Sequence, residues 1–231
     1  MSTRRGRLTT GGPTMRPLER TLTSATLAAA LLALSTATAH ADRWWGRDAA
    51  RDVTQLTFTT EPPPCGTWDV TTQPQDTSTD LVGLTVDHGR DDVVLRAHYR
   101  GLTGFADRHV TFTLATDDRD FEVDLSHQRR RGVVAELWSA PTQPEPGGAC
   151  DTYSTIQMGG GCEITKQVLP ARDVVVVSVP RDCIGDPRWV RAGVRDQRAV
   201  GTRVRTDVWG RPDIGTIFDD EPLTPRVRRS R

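Results

Sequence analysis

LVGLTVDHGRDDVVLRAHY, Leu81 to Tyr99, is the stretch whose reading decides the fold. Val82, Leu84 and Val86 recur at every second position, and so do Val93, Leu95, Ala97 and Tyr99, with Arg96 and His98 on the alternate side. A period of two belongs to a strand with one face in a core and the other in water. Gly89-Arg90-Asp91-Asp92 between the runs is turn material, so the stretch reads as an antiparallel hairpin. The unit returns downstream: Val110, Phe112 and Leu114 alternate, DDRD (Asp117 to Asp120) turns, and Phe121, Val123 and Leu125 alternate again.

Working outward, QLTFTT (Gln55 to Thr60), GVVAELWSA (Gly132 to Ala140), WVRAGV (Trp189 to Val194) and RVRTDVW (Arg203 to Trp209) are further strand candidates. EITKQVL and DVVVVSV flank Pro170-Ala171-Arg172 as another hairpin. WWGRDAARD (Trp44 to Asp52) reads as a short helical or irregular lead-in, and DVTTQPQDTSTD (Asp69 to Asp80), PTQPEPGG and MGGG read as loops. No long 3.6-residue periodicity occurs. The pattern predicts an all-β chain, an antiparallel β-sandwich of about 8–10 short strands with two disulfides. Its expected parts are a secretory signal peptide over 1–41, a lead-in, loop and first strand over 42–79, the sandwich over 80–218, and a disordered tail over 219–231.

The export signal rests on residue types in order. Arg4, Arg5, Arg7, Arg16 and Arg20 precede ATLAAALLAL (Ala25 to Leu34), and Ala39-His40-Ala41 follows as a small-x-small cleavage pattern. The apolar run is too short to span a bilayer, which takes roughly 20 residues. Met1 and Met15 both suit as the start. The full chain carries 30 basic and 30 acidic residues; residues 1–41 hold five of the former and one of the latter, which leaves 25 and 29, a net charge of −4. Such a surface gives no electrostatic reason to bind nucleic acid or an anionic membrane. The expected location is extracellular, with no stable membrane insertion after cleavage.

All four cysteines lie beyond the signal, and an even count in an exported chain reads as disulfides. Cys162 stands just before the EITKQVL strand and Cys183 just after DVVVVSV, so the hairpin brings them nearly opposite each other. That geometry predicts Cys162–Cys183 and leaves Cys65–Cys150 as the second pair. The cysteines lack the C-x-x-C spacing of a redox or zinc set.

VPRDCIGDPRWV (Val179 to Val190), together with DLVGLTVDHGRDDVVLRAHYRGL (Asp80 to Leu102), resembles segments of small exported bacterial β-sandwich proteins of uncharacterised function that share a V-P-R-x-C-[IL]-G-x-P-R-W-V signature. The resemblance implies a pair between the cysteine ahead of the last hairpin and the one after VPR, in agreement with Cys162–Cys183. Cys65, Cys150 and the longer C-terminal region depart from that pattern. The alternating segments are also similar, at the level of pattern alone, to the β-sandwich of certain carbohydrate-binding modules.

No catalytic constellation stands out. There is no G-x-S-x-G elbow, Asp76-Thr77-Ser78 lacks an apolar setting, and Gly159-Gly160-Gly161 is not followed by Lys and Ser or Thr. His88, His98, His109 and His127 show no helical metal-ligand spacing; His98 is expected on a solvated face and His88 at a strand end. The acidic turns Asp91-Asp92 and Asp117-Asp118-Arg119-Asp120 offer oxygen ligands but lack the glycine and distal glutamate of an EF-hand loop. Glu122 and Asp124 share a strand's polar face. Of six tryptophans, Trp189 reads as a core anchor, while Trp44 and Trp45 cannot both face inward on a strand. The expectation is therefore a non-catalytic module with no cofactor, no metal ligands and no assigned binding residues. It binds an extracellular ligand, a glycan or cell-envelope component, or alternatively serves as a structural or protein-interaction module. A glycan platform requires coplanar exposed aromatics; an interaction module requires an exposed apolar patch or an open edge strand. N-terminal sequencing of the exported protein is expected to begin at Asp42; a chain that retains Ala25 to Leu34 contradicts the cleavage.

Overall fold

The computed structural model describes residues 42–59, 67–139, 157–158, 161–211 and 221–230. The signal segment, Cys65 and Cys150 lie outside them. The described residues form fourteen strands and no α-helix. Strands β1 (Asp42–Arg47), β4 (Leu81–His88), β5 (Asp92–Tyr99), β10 (Thr165–Leu169) and β11 (Val174–Pro180) form a five-stranded antiparallel sheet in the order β1-β4-β5-β11-β10. The second sheet runs β3 (Thr67–Thr72), β2 (Thr54–Thr59), β13 (Arg203–Val208), β12 (Trp189–Val200), β6 (Arg108–Ala115), β7 (Asp120–Gln128), β8 (Gly132–Ser139) and β9 (Gln157–Met158). A two-residue β14 (Val227–Arg228) pairs with β12.

The alternation that defined the strands also defines the core. Leu84 and Val86 of β4, Leu95 and Ala97 of β5, and Val175, Val177 and Val179 of β11 are fully buried. They belong to one hydrophobic cluster with Val110, Phe112 and Leu114 of β6, Val123 and Leu125 of β7, and Val190, Ala192 and Val194 of β12. Each such side chain contributes about 1.5–3 kcal/mol through its removal from water. Within this cluster sits one ion pair: Arg108 of β6 bonds Asp196 of β12, with the residues 3% and 0% exposed. Arg108 also donates to the Ser78 carbonyl at 2.9 Å and lies 5.3 Å from the Tyr99 ring centre on β5.

Three expectations are corrected. Of WWGRDAARD, expected as a helical or irregular lead-in, Trp44 to Arg47 belong to strand β1, paired to β4 through Trp44↔Val86 and Trp45↔Thr85, and Asp48 to Asp52 are irregular. Its tryptophans therefore face opposite sides. Trp44 meets Trp209 edge-on at 5.4 Å, and Trp45 lies across Gly83, where a Cβ would come within 2.2 Å of the ring. Asp69 to Thr72, expected as the start of a polar loop, belong to strand β3 because its threonines and Val70 pair along β2. The tail is not disordered from Glu221 to Ser230. Strand β13 covers β12 only from Arg195 onward, so the free edge at Trp189–Val194 needs partners. The tail supplies them: Thr224 bonds Ala192 through N–H to carbonyl at 2.9 Å, β14 pairs with Trp189 and Val190, and Thr224 and Val227 are buried.

His88 stands at the end of β4, as expected, and lies inside the protein. It is 0% exposed and its Nδ1–H donates to the Val227 carbonyl at 3.0 Å, which ties the tail to β4. Trp189 is half-buried beneath the Arg226 guanidinium, 4.3 Å from the ring centre, and so faces the tail and not the core. Trp189 alternates with Val190 and Ala192, which take the inward face.

Cys162 and Cys183 form the expected disulfide, with α-carbons 5.9 Å apart, at the open end of the β10–β11 hairpin. The closed segment separates the two cysteines by 21 positions. Replacing both by serine is expected to cost about 3 kcal/mol of unfolding free energy, chiefly through a freer unfolded chain; urea denaturation checks it, and an unchanged midpoint contradicts it.

Candidate functional site

Two places combine chemistry with geometry. The first is a group of carboxylates where strand ends from both sheets come together. Asp48 follows β1 and Asp80 immediately precedes β4; Asp52 leads into β2 and Asp207 lies on β13. Register sets Asp207 on the core side, since it is the Cα partner of the buried Asp196. One oxygen each from Asp52, Asp80 and Asp207 lie within 4.8 Å of one another.

Asp48, Asp80 and Asp207 are each held by one oxygen, with the other bare. Leu81 N–H donates to Asp207 Oδ2 at 2.7 Å. Arg51 N–H and Arg100 Nε–H donate to Asp80 Oδ2 at 2.9 and 2.6 Å. Gly210 and Ala49 N–H groups, each at 2.9 Å, satisfy Asp48 Oδ1. Asp48 Oδ2, Asp80 Oδ1, Asp207 Oδ1 and both oxygens of Asp52 are buried without a hydrogen-bond partner. Arg51, at the bend of the connecting loop, holds φ at +73°, in the left-handed region.

Burial dominates the electrostatics. It pushes Asp207 up to about 9, aided by the charges of Asp52, Asp48 and Asp80. Asp48 rises to about 7 by burial, opposed by the Gly210 hydrogen bond and reinforced by Asp52. Asp52 rises to about 6 by burial and by Asp80. With only protein groups as neighbours, Asp207 thus holds a proton at neutral pH.

The second place lies on the face of the nine-stranded sheet turned away from the core. Phe58 and Trp68 are direct partners across β2 and β3, 5.0 Å apart with planes at 53°. They are 46% and 41% exposed, and Val70, two residues along β3, is 51% exposed. Val70 opposes Leu56, Leu56 opposes Val204, and Val204 opposes Ala199, so an apolar row crosses β3, β2, β13 and β12. Val204 and Ala199 also line a groove of about 250 Å³ whose lining includes His109, Ser126, His127 and Gln197 beside Asp107 and Arg108. The apolar patch and the polar groove adjoin through Val204.

The residues singled out from sequence fall elsewhere or serve the fold. Asp117 binds Arg188 through Oδ2 at 2.7 Å and accepts its N–H at Oδ1, and Asp92 bonds Ser178, so neither acidic turn gathers oxygens toward a cation. Asp76, in the Asp-Thr-Ser string, caps its own turn by accepting the N–H groups of Ser78 and Thr79 at 2.8 and 3.0 Å, and meets Arg205 at 2.7 Å. His98 is not fully solvated: it bonds Thr85 at 2.9 Å and meets Trp45 edge-on at 4.8 Å. Of the glutamate–aspartate pair, Asp124 binds His109 at 3.1 Å and Thr111 at 2.8 Å, while burial raises Glu122. The Asp48, Asp52, Asp80 and Asp207 group was not expected; nothing in their spacing along the chain announces it.

No family model matches the chain, and neither a curated protein nor a solved structure does so.

His109 gives the groove a measurable charge. Its hydrogen bond to Asp124 is the largest influence and raises its pKa above the ordinary 6.5. A histidine held above its unfolded value adds stability that is complete below about 6.5 and lost as pH rises through the folded value. NMR titration is expected to place His109 above 6.5 and Asp124→Asn to bring it down. An unchanged titration in that variant contradicts the pairing.

Proposed function

We propose that this chain is exported, that its two sheets pack face to face as a β-sandwich closed by a second disulfide, Cys65–Cys150, and that it serves without catalysis as an extracellular binding module. The shared hydrophobic cluster supports the sandwich, and the Cys162–Cys183 bond supports an oxidising compartment. No helix among the described residues is long and apolar enough to cross a membrane.

The partner that this surface suits best is a protein of the cell envelope. The observation carrying that reading is the exposed Phe58–Trp68–Val70 patch on the β2–β3 hairpin, with β3 at the edge of its sheet among the described strands. An edge strand offers backbone donors and acceptors to an added strand, and aromatic side chains supply apolar contact beside them. Rings inclined at 53° do not make the flat double platform that stacks on consecutive sugars. A glycan remains the second reading because the adjoining groove presents His109, Ser126 and Gln197, side chains that hydrogen-bond hydroxyl groups.

Pull-down from solubilised envelope, run beside a glycan array, separates the two. The protein-binding reading expects a retained polypeptide and a loss of about tenfold in affinity with Trp68→Ala or Phe58→Ala, with thermal stability little changed. Retention on polysaccharide that those substitutions spare, and that His109→Ala removes, favours the glycan. Retention of neither class contradicts the proposal.

A further inference from the structure

We propose that Asp52, Asp80 and Asp207, with Asp48 beside them, form a binding site for one calcium ion that fastens the two sheets together. The inference is independent of the binding surface on β2 and β3.

Distance supports it first. Calcium takes oxygen ligands at about 2.3–2.6 Å, so oxygens on opposite sides of one ion stand up to roughly 5 Å apart. The three carboxylate oxygens lie within 4.8 Å of one another, a spacing that lets all reach a common centre. Magnesium demands near-ideal octahedral geometry at about 2.0–2.1 Å and parts with its water reluctantly, so a site built of protein carboxylates suits calcium better. The donors are carboxylate oxygens throughout, with no histidine or cysteine in the group, which selects a hard cation over zinc or copper.

Satisfaction of polar atoms supports it independently. Asp80 and Asp207 are both 0% exposed, and each spends Oδ2 on donors that the fold needs. Their Oδ1 atoms, and both oxygens of Asp52, have no donor, although native proteins pair nearly all buried polar atoms. Each of the three residues thus offers at least one bare oxygen. Arg100 meets Asp80 at Oδ2 and so leaves Oδ1 to the group. Raised carboxylate pKa values agree with a shortage of positive charge here.

The placement gives the ion a structural task. Asp80 immediately precedes β4 of the five-stranded sheet, while Asp52 leads into β2 and Asp207 lies on β13 of the nine-stranded sheet. A dication ligated by all three converts mutual repulsion into a cross-link between layers. Calcium sites of extracellular modules work at about 10⁻⁴–10⁻³ M, and an affinity in that range suffices for an exported chain.

The test is titration of the full oxidised protein with calcium chloride, read by calorimetry and by thermal unfolding, with magnesium chloride in parallel. The expected result is one calcium per chain, a rise in Tm of about 5–10 °C at a hundredfold excess over Kd, and magnesium at least tenfold weaker. Asp52→Asn removes charge but no hydrogen bond of the fold, since neither Asp52 oxygen has a partner. It is expected to fold, to match or exceed the calcium-free Tm of the parent, and to lose at least tenfold in calcium affinity. Asp207→Asn, which keeps an oxygen for the Leu81 N–H, reads the same loss should Asp52→Asn fail to fold. Absence of binding heat and of any Tm shift up to about 10 mM calcium overturns the proposal and leaves protons shared among the carboxyl groups. So does an undiminished calcium response in both variants.

Discussion

Three aspartates, Asp52, Asp80 and Asp207, that draw oxygens together within 4.8 Å, with Asp48 as a charged neighbour, set the terms for the rest of the molecule. Asp48 and Asp80 adjoin β1 and β4 of the five-stranded sheet, while Asp52 leads into β2 and Asp207 lies on β13 of the nine-stranded one. Removing a carboxylate from water costs several kcal/mol unless something replaces the lost hydration. Backbone N–H groups and Arg100 replace part of it at Asp48, Asp80 and Asp207, and nothing replaces it at Asp52. The ionic state of such a group bears on the strands beside it, because carboxylates that repel one another lose that repulsion when a proton or a cation joins them.

A second polar element lies deeper and is self-sufficient in charge. Arg108 and Asp196 neutralise each other inside the cluster, and burial still raises Asp196 to about 6 against the pull of Arg108. Ion pairs of this type add little net stability relative to well-packed apolar residues, but loss of one partner strands the other. Through the Ser78 contacts and the Tyr99 ring, Arg108 fixes the segment that ends at Asp80. The buried pair thus helps position one of the converging carboxylates.

Much of the architecture was legible because period-two alternation survives wherever one face meets the core. The hairpins Leu81–Tyr99 and Arg108–Gln128 and the cysteine at the end of β11 follow from it directly. Arg108 is in phase with Val110 and Phe112, and Asp196 with Val194, so the buried ion pair was open to the same reasoning and was missed. The carboxylate group was not open to it. In β13 the usual expectation puts Arg203, Arg205 and Asp207 in water and Val204 and Val208 inside, whereas pairing to β12 turns Asp207 inward. Asp48, Asp52 and Asp80 lie outside strands, where periodicity carries no information. The tail escaped for a related reason: its value lies in backbone hydrogen bonds to β12, which leave no hydrophobic pattern.

The binding face and the carboxylate group place separate demands on β13, which carries Val204 of the one and Asp207 of the other. The most direct measurement of the central claim is anomalous diffraction from crystals of the oxidised protein grown with millimolar calcium chloride. The account predicts one anomalous peak about 2.4 Å from oxygens of Asp52, Asp80 and Asp207. No peak there, with carboxyl oxygens instead in pairs at about 2.5–2.7 Å, would mean that shared protons and not calcium hold the two sheets at this point.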